Sequence, residues 1–365
     1  MYIHLPWCEK KCPYCDFNIS TNKKDGDEDM LISAILRDLE ESKEYISDRK
    51  FVSVYFGGGT PSLTKSKNIE KILLVLTTNK MLVKDCEISF EFNPKEVDAS
   101  YLADLSNIGI NRASIGIQSF DNQSLKSLER NHDAAEAFKA IEIISSIKTI
   151  KTSIDLIYGV MGQTLDSFEK DIKTFCSQDI SHLSLYQLTI EPNTIFYKKE
   201  LKTPKDTEIE KMESSAKILL NRSNFYQYEV SSWTKNQAFS KHNMNYWMYG
   251  DFLGLGPGAH SKITSKNSIT RMVKLKQVNS YIKNPTKVSK NKISPDGYDI
   301  DLAMNILRLK DGITFDQLAK RNINLTESFL QKLEYGIASN LLEKNEIKAT
   351  DIGYKFLNDT VNIFS

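Results

Sequence analysis

The sequence predicts an α/β fold in which parallel strands alternate with helices. Short apolar runs typical of buried strands alternate six times, over about 190 residues, with stretches whose apolar residues recur at helical spacing. Glycine, proline or polar residues end several of the apolar runs, as expected where strands pass into loops. The alternation does not by itself separate an open sheet from a barrel. In both architectures, ligands bind at the carboxyl ends of the strands.

The predicted elements follow one another in a regular order. The first strand runs from Tyr2 to Leu5 and is ended by Pro6, because proline cannot donate a ladder hydrogen bond. Further strands are predicted over 51–56, 88–92, 112–117, 152–158 and 182–188. Helices are predicted between them over 31–45, 69–76, 101–105, 134–146 and 168–175.

Three of the chain's five cysteines stand close together directly after the first strand. Cys8, Cys12 and Cys15 have the spacing C-x3-C-x2-C. Thiolates are the preferred ligands of iron–sulfur clusters, and a tight loop can bring three sulfurs to one cluster face. A cluster of four irons that is held by three thiolates has one iron without a protein ligand. Metal sites with such an open position can bind a further small molecule. The spacing therefore predicts a [4Fe–4S] cluster that can bind a small chelating ligand.

Two other interpretations of these cysteines remain open on the residues alone. A structural zinc site needs a fourth ligand, and the nearest candidates are His4 and the distant Cys86. A disulfide framework needs an oxidising compartment and is typical of small chains. The length and the clustering of the cysteines favour neither.

Composition and charge limit the classes to which the protein can belong. The 365 residues are 40% hydrophobic and 26% charged, which is enough for one large domain and a smaller one. The 48 basic and 47 acidic residues give a net charge of +1, which argues against a nucleic-acid partner. No run approaches the ~18 apolar residues of a membrane span, and the sequence is expected to carry no signal peptide before the first strand. The cysteine pattern fits a reducing compartment, so the chain is expected to be cytoplasmic.

Polar residues interrupt or follow several of the apolar strands. Gly57 to Gly59 follow the second strand and allow the backbone to approach a ligand closely, although a tight turn explains them equally well. Glu91, Gln118 and Asp155 each stand in, or directly after, a strand that otherwise reads as buried. A buried polar side chain needs a partner to offset its desolvation. Either a bound ligand or a hydrogen bond within the core provides one.

The cysteine motif carries a resemblance to a known superfamily. Its spacing, with an aromatic residue before the last cysteine, resembles the signature of the radical S-adenosylmethionine (SAM) proteins. The longer string YIHLPWCEKKCPYCDFN resembles the family of HemW-type haem chaperones and oxygen-independent coproporphyrinogen III oxidases. The resemblance implies a partial (β/α)6 barrel and a cluster whose open iron binds the amino and carboxylate groups of SAM. It also implies that electron transfer from the cluster cleaves SAM to a 5′-deoxyadenosyl radical.

The resemblance assigns roles that the residues alone leave undetermined. Arg130, for example, would otherwise be taken for a surface arginine. Cys8, Cys12 and Cys15 match the family's cluster ligands. The residues that match its SAM site are Tyr2, Gly58, Gly59, Thr60, Glu91, Gln118, Arg130 and Asp155.

A second motif lies beyond the predicted barrel, in the string HNMNYW that begins at His242. An imidazole beside aromatic residues offers haem both an iron ligand and a flat apolar wall. A histidine near aromatic residues is nevertheless more often simply packed. The string matches the H-N-x-x-Y-W motif of the HemW-type chaperones. That resemblance implies haem as a ligand, with His242 as the first candidate to bind its iron.

The chain is predicted to have three parts. Residues 1–200 form the radical SAM partial barrel, and residues 201–292 form an extension that covers the barrel and carries the HNxxYW motif. Within the extension, residues 261–291 are polar and lysine-rich and predict an excursion at the second boundary. Residues 293–365 show a helical pattern with two short strands near Ile347 and Phe364, which resembles the family's winged-helix-like α+β domain. Winged helices often bind DNA, but the balanced charge favours packing or partner docking.

Two functions follow from the resemblance. The first is a haem chaperone that binds the cluster, SAM and haem and delivers haem to recipient haem proteins, such as membrane respiratory enzymes. The second is an oxygen-independent coproporphyrinogen III oxidase, in which the radical starts oxidative decarboxylation of propionate side chains. The oxidase has a further cysteine two positions after the last cluster cysteine, where this chain has Phe17, and an extension before the first strand, where this sequence starts at Met1.

These differences and the HNMNYW string favour the chaperone, without oxidase activity. A chaperone of this family needs an electron donor for its cluster, and a homodimer is compatible with the resemblance. A third function, DNA binding through the winged helix, has little support because no basic face is evident.

Overall fold

The computed structural model describes residues 1–46, 49–265 and 268–365, without the side chains of residues 295 and 296. Strands and helices alternate through the first half of the chain, in the predicted order. The strands are β1 (Tyr2–Leu5), β2 (Phe51–Gly58), β3 (Leu82–Phe92), β4 (Arg112–Gln118), β5 (Lys151–Tyr158), β6 (His182–Gln187), β7 (Tyr226–Gln227), β8 (Ser232–Thr234), β9 (Gly254–Leu255), β10 (His260–Ser265), β11 (Ser268–Lys274) and β12 (Val288–Lys292). The helices are α1 (Asp27–Glu41), α2 (Lys43–Ile46), α3 (Ser66–Thr78), α4 (Ala99–Asn107), α5 (Asn122–Ser127), α6 (Ala134–Ser146), α7 (Leu165–Cys176), α8 (Ile195–Lys198), α9 (Asp206–Arg222), α10 (Lys241–Trp247), α11 (Val278–Lys283), α12 (Pro295–Ile306), α13 (Phe315–Ala319), α14 (Glu327–Ala338), α15 (Asp351–Lys355) and α16 (Leu357–Asn362).

The strands from β1 to β9 form one open sheet. Their order across the sheet is β7-β8-β6-β5-β4-β3-β2-β1-β9. Strands β9 and β1 to β6 are parallel to one another, and the β7–β8 hairpin joins the edge of β6 in antiparallel orientation. The six predicted parallel strands are therefore confirmed. Because β7 and β9 stand at opposite ends of the order, the sheet is a partial, open barrel.

The two faces of the parallel sheet differ in polarity, because successive side chains of a strand point to opposite faces. One face belongs to the apolar core that the helices cover. Val54, Phe56, Phe90, Ile115 and Leu156 on this face have at most 2% of their surface exposed. Burial of a side chain of this size contributes about 1.5–3 kcal/mol to folding. The opposite face carries polar residues that line a cavity.

A second sheet of three antiparallel strands has the order β10-β11-β12. The sequence predicts an excursion over residues 261–291, so this sheet corrects that expectation. The polar, lysine-rich sequence belongs to exposed strand positions, as in β12, where four of five residues are exposed. The sheet is tied to α1 by Asp38, whose carboxylate accepts hydrogen bonds from the ammonium of Lys274 and the hydroxyl of Tyr281.

The segment from α12 onward consists of short helices around a second apolar core. At Ile347, where a strand is predicted, the structure has an isolated β-bridge to Ile313. The predicted strand at Phe364 is wrong. This residue follows α16, and its ring centroid lies 4.5 Å from that of Phe329. A short apolar pattern does not distinguish a strand from a packed turn, so contacts with the core, and not local sequence, decide the conformation of Phe364.

No helix in the described ranges is both long and apolar enough to cross a membrane. The boundaries predicted at residues 200 and 292 stay predictions.

Candidate functional site

A cavity of about 430 Å³ lies along the polar face of the parallel sheet. Side chains from β2 to β6 form its wall, and the loop that follows β1 forms another side. The lining residues extend from the loops at the carboxyl ends of the strands to the amino ends of β4 to β6. The place agrees with the general position of ligand sites in parallel α/β architectures.

The loop after β1 carries the three clustered cysteines. Backbone hydrogen bonds from Cys8 N to Ser20 O (3.0 Å) and from Ser20 N to Pro6 O (2.8 Å) tie the two ends of the loop together. Cys8, Cys12 and Cys15 are free, half-buried and part of the cavity lining. Three thiols therefore face the same cavity.

Two neighbouring side chains donate hydrogen bonds to these sulfurs. Thr60 Oγ1 lies 3.5 Å from Cys8 Sγ, and Arg130 Nη1 lies 3.3 Å from Cys12 Sγ. Burial raises the pKa of Cys15 to about 11. Hydrogen-bond donors stabilise the thiolate, which is the form that binds iron.

The geometry does not favour the zinc alternative. Among the described residues, no group of three or more histidine, cysteine, aspartate or glutamate side chains is arranged around a single metal ion. A structural zinc ion draws its ligands onto one centre, whereas a cluster holds each thiolate on a different iron. The three thiols share one cavity, and the described residues do not place a fourth ligand with them that would complete a structural zinc site.

The glycine motif stands at the carboxyl end of β2, where Gly58 is the last residue of the strand and Gly59 follows it. Gly58 has a φ of +115°, and a Cβ on it would lie 2.6 Å from the ring of His4. A Cβ on Gly59 would lie 2.6 Å from the carbonyl oxygen of Trp7. Both glycines are therefore required where this segment packs against β1 and the start of the cysteine loop. They also line the cavity, so the same positions serve packing and the approach of a ligand.

Glu91 presents a carboxylate to the cavity from β3. Its Oε1 accepts a hydrogen bond from the hydroxyl of Tyr55 (2.7 Å), and its Oε2 accepts one from the N–H of Gly58 (3.2 Å). Burial raises the pKa of Glu91 to about 7, although the hydrogen bond from Tyr55 acts in the opposite direction. The carboxyl group therefore changes charge near neutral pH, and a cationic ligand would favour its ionised form.

Asp155 on β5 provides a second carboxylate. Ser114 Oγ lies 3.2 Å and 3.1 Å from its two oxygens, and burial raises the pKa of Asp155 to about 6. Gln118 ends β4 with a φ of 71°, and its amide lies over Gly116, where a Cβ would be 2.8 Å from Nε2. A positive φ at a non-glycine residue costs energy and recurs at functional sites.

Arg130 reaches the cavity from the loop after α5. Its Nη1 also donates to the hydroxyl of Tyr14 (3.3 Å), and its Nη2 donates to the carbonyl of Gly116 (3.0 Å). Its Nε is buried and has no hydrogen-bond partner among the described residues. The guanidinium is thus held in place beside the cysteines with donor capacity left for an anionic group.

The residues at the cavity fit a cluster with SAM beside it. The cysteines are soft ligands for iron, the carboxylates of Glu91 and Asp155 suit a cationic group, and the guanidinium of Arg130 suits a carboxylate. Two further buried polar atoms of the lining, Ser89 Oγ and His182 Nδ1, have no hydrogen-bond partner in the part of the chain that the structure describes. Buried polar groups are normally paired, so these atoms indicate a polar occupant.

Tyr2 does not line this cavity, although the family pattern places it in the SAM site. It lies behind the wall, where its ring stacks on Tyr55 with 6.2 Å between centroids. Its hydroxyl is 3.0 Å from Nδ1 of His4. In this position Tyr2 supports the wall from behind.

His242 also lies outside the cavity lining. Only 5% of its surface is exposed, its Nδ1 is 3.0 Å from Ser53 Oγ, and its ring stacks on Tyr55 at 4.6 Å. His242 is thus packed against the outside of the cavity wall, and its role as a ligand of haem stays a prediction. The neighbouring Asn243 is the residue of the motif that reaches the cavity.

The sequence-based selection of site residues was incomplete. The wall contains further polar residues at alternating positions of β3 to β6, namely Ser89, Arg112, Ser114, Ser153, His182, Ser184 and Tyr186. A signal for them exists in strings such as RASIGIQ and HLSLYQ, where polar and apolar residues alternate. This period of two is typical of a strand with one polar face.

Comparison with known proteins first gives the class. The sequence profile of the Radical SAM superfamily matches residues 2–175. The solved structure of coproporphyrinogen III oxidase (HemN) from Escherichia coli, a radical SAM enzyme, aligns with a TM-score of 0.82 and 20% identity over 100% of this chain and 89% of that chain. The fold and the cysteine motif together define the radical SAM class.

Curated relatives give the family. Heme chaperone HemW of Buchnera aphidicola subsp. Acyrthosiphon pisum is 37% identical over 100% of this chain and 97% of its own length. Heme chaperone HemW of Escherichia coli strain K12 is 32% identical with the same coverage. The mitochondrial radical S-adenosyl methionine domain-containing protein 1 of Danio rerio is 33% identical over 72% of this chain and 60% of its own length. The chain belongs to the HemW heme chaperone family of the radical SAM superfamily.

Proposed function

We propose that this chain is a haem chaperone that holds a [4Fe–4S] cluster on Cys8, Cys12 and Cys15, binds SAM in the adjacent cavity and carries haem to recipient proteins. The recipients are haem-dependent respiratory enzymes, and a separate electron donor reduces the cluster. When bound, the cluster supplies the electron for reductive cleavage of SAM. The residues of the chain bind and orient the ligands and exclude water from the cavity.

One observation carries the proposal for the cluster and SAM. Three free cysteines open onto the same cavity as two carboxylates of raised pKa and a guanidinium with unused donor capacity. In this proposal Glu91 and Asp155 bind the amino group of SAM, and Arg130 binds its carboxylate. The similarity over the whole chain to proteins named heme chaperone HemW supports haem as the cargo.

The alternative function is oxygen-independent coproporphyrinogen III oxidase. The likeness to HemN extends over the whole chain, but at 20% identity it concerns the fold. The chain has Phe17 at the position where the oxidase pattern has a further cysteine, and this side chain is 61% exposed beside the cavity. That difference favours the chaperone.

The deciding experiment uses full-length protein with an anaerobically reconstituted cluster. One sample is titrated with haem and then mixed with an apo haem protein, and a second is incubated with coproporphyrinogen III, SAM and dithionite. Stoichiometric haem binding, transfer of the haem and no protoporphyrinogen would support the chaperone. Formation of protoporphyrinogen without haem binding would contradict it and favour the oxidase.

The cluster assignment makes a separate prediction for Cys12→Ser. A serine hydroxyl is a poor ligand for iron, so the variant should lose the brown absorbance and most of the iron and sulfide after reconstitution. Cys176→Ser is the matched control, because Cys176 is a free, half-buried cysteine outside the cavity lining, and it should reconstitute normally. Unchanged iron and sulfide contents in Cys12→Ser would rule out the assigned ligand set.

A further inference from the structure

The carboxyl groups in the cavity lining differ in whether the protein provides a partner for them. The lining contains Glu9, Glu91, Glu96, Glu129 and Asp155. A carboxylate that is withdrawn from water is costly unless a cation or a hydrogen-bond donor compensates it. A lining carboxylate without such a partner is therefore the place where a cationic ligand gains most.

Most of these carboxyl groups have a partner within the chain. Glu91 and Asp155 accept the hydrogen bonds described above. Glu9 lies 3.9 Å from the ammonium of Lys95, and the carboxylate of Glu129 accepts a hydrogen bond of 3.1 Å from a lysine. The side chains of Glu9 and Glu129 are also open to solvent, with exposed fractions of 51% and 39%. The lysines and water therefore satisfy these two.

Glu96 has no such partner. Both of its carboxylate oxygens are buried and form no hydrogen bond with another described residue. Glu96 ends the short turn Pro94–Glu96 that follows β3. Asn93, directly before the turn, uses its side-chain amide elsewhere, since it donates to Asn131 Oδ1 (3.0 Å) and accepts from Arg130 Nη2 (2.5 Å). The turn is therefore anchored, and it holds an uncompensated carboxylate in the wall.

The carboxylate of Glu96 stands at the cysteine end of the cavity. Burial raises the pKa of the Cys8 thiol, and among the neighbouring charges Arg130 lowers this pKa and Glu96 raises it. Both charges therefore act on the same thiol. Arg130 is also in contact with the next cysteine, because its Nη1 lies 3.3 Å from Cys12 Sγ.

The charges of SAM suggest what Glu96 faces. SAM carries an amino group, a carboxylate and a sulfonium. The proposed function assigns Glu91 and Asp155 to the amino group and Arg130 to the carboxylate, which leaves the sulfonium without a partner. A short alkyl chain joins the sulfonium to the carbon that bears the carboxylate, so the sulfonium lies near the group that Arg130 binds. A sulfonium has no N–H or O–H to donate, and it attracts a carboxylate through charge alone.

We propose that Glu96 provides the counter-charge for the sulfonium of SAM and thereby makes the cavity selective for SAM over the neutral thioether S-adenosylhomocysteine. The inference rests on the proposed function, because it needs SAM in the cavity. With S-adenosylhomocysteine bound, the carboxylate of Glu96 would stay buried without a counter-charge. The attraction between opposite charges is stronger in a buried wall than in water, so the difference between the two ligands is measurable.

The test compares wild-type protein and Glu96→Gln, each as the full chain with a reconstituted cluster. Isothermal titration calorimetry measures the Kd for SAM and for S-adenosylhomocysteine, which share the amino-acid head and the adenosine and differ in the charge on sulfur. The ratio of the Kd for S-adenosylhomocysteine to the Kd for SAM should fall about tenfold in Glu96→Gln, because glutamine keeps the size of the side chain and removes its charge.

Two further variants serve as controls. Glu9→Gln removes a lining carboxylate that is exposed and paired with Lys95, and it should leave both affinities unchanged. Glu91→Gln should weaken both ligands by the same factor, because both of them carry the amino group. A change in the ratio is thus expected for Glu96→Gln alone.

A third ligand keeps the test decisive if Glu96→Gln does not fold. Sinefungin has an amine in place of the methylated sulfur, so it carries a positive charge at the position of the sulfonium. Wild-type protein should bind SAM and sinefungin about tenfold more tightly than S-adenosylhomocysteine. Equal affinities of wild-type protein for the three ligands would overturn the inference without any variant.

The outcomes separate the inference from the proposed function. An unchanged ratio in Glu96→Gln, with affinities that are either unaltered or equally reduced, would overturn the role of Glu96 and leave the binding of SAM intact. If wild-type protein bound no SAM at all, the proposed function would fail and the inference with it.

Discussion

At the scale of single residues, Glu91 combines a cost in folding with a place in the wall of the cavity. Its carboxyl group is buried in the cavity wall, and its pKa is raised from 4.5 to about 7. When folding raises the pKa of a carboxyl group, ionisation of that group destabilises the folded protein. The loss of stability therefore grows as the pH rises from about 4.5, the usual pKa, to about 7, the pKa in the folded state. A bound cation offsets this cost, because it favours the ionised carboxylate.

The raised pKa predicts a pH dependence of SAM binding. Protonation of Glu91 removes the negative charge that attracts the amino group, so the Kd for SAM should increase about twentyfold from pH 8 to pH 6, with about tenfold from Glu91 and about twofold from Asp155. Isothermal titration calorimetry of the reconstituted protein at these two pH values measures the change. In Glu91→Gln, binding should be weaker at pH 8 and nearly independent of pH, with about a twofold residual change from Asp155.

The same substitution has an opposite effect on the stability of the ligand-free protein. Glutamine does not ionise, so Glu91→Gln should raise the melting temperature at pH 8 and leave it nearly unchanged at pH 5. A melting temperature lowered equally at both pH values would show that the hydrogen bond from Tyr55, and not the buried charge, dominates at this position.

At the scale of elements, α10 connects the HNMNYW motif to the cavity. The ring of His242 stacks on Tyr55, whose hydroxyl donates to Glu91. The backbone N–H of His242 donates to Glu87 (3.0 Å), which fixes the helix to β3. The motif therefore supports the wall of the cysteine-lined cavity from outside.

His242→Ala should consequently weaken SAM binding, about fivefold, because Tyr55 and Glu91 lose the support of the imidazole. Lys241→Ala, at an exposed position of the same helix, is the matched control and should bind SAM as wild type does. Equal affinities of wild type and His242→Ala would mean that the stacked ring does not position the carboxylate.

The elements differ in how far the sequence alone predicts them. Strands β1 to β6 were predicted because their apolar runs and the helices between them have distinct periods. The cysteines were recognised because ligand spacing within one loop is a local property of the chain. The sheet of β10 to β12 was missed, since exposed lysine and serine residues hide the apolar side of each strand.

The position of a side chain relative to distant parts of the chain was the least predictable. The burial of His242 depends on contacts with Ser53 and Tyr55, which are far from it in sequence. An isolated histidine carries no local signal of such an environment.

At the scale of the whole molecule, one buried polar network joins three elements. It connects α1, which follows the first strand of the parallel sheet, with the second sheet and with α11. Asp38 is fully buried and accepts hydrogen bonds from Lys274, which is 7% exposed, and from Tyr281, which is fully buried. The hydroxyl of Tyr281 also accepts a hydrogen bond from the N–H of Gly256 (3.0 Å), in the loop after β9. A charge in such a place is tolerated because every partner is present.

The network predicts a large loss of stability in Asp38→Ala. The substitution leaves the ammonium of Lys274 buried without its counter-charge, so the free energy of unfolding should fall by about 3–5 kcal/mol, measured by urea denaturation of the full chain. Asp166→Ala is the matched control, because the Asp166–Lys170 pair is exposed at 2.8 Å and should leave the unfolding curve unchanged. Lys274→Met combined with Asp38→Ala should recover much of the loss, since an apolar pair needs no counter-charge. A double variant as unstable as Asp38→Ala alone would show that the hydrogen bond between Asp38 and Tyr281, which joins α1 to α11, contributes more than the ion pair.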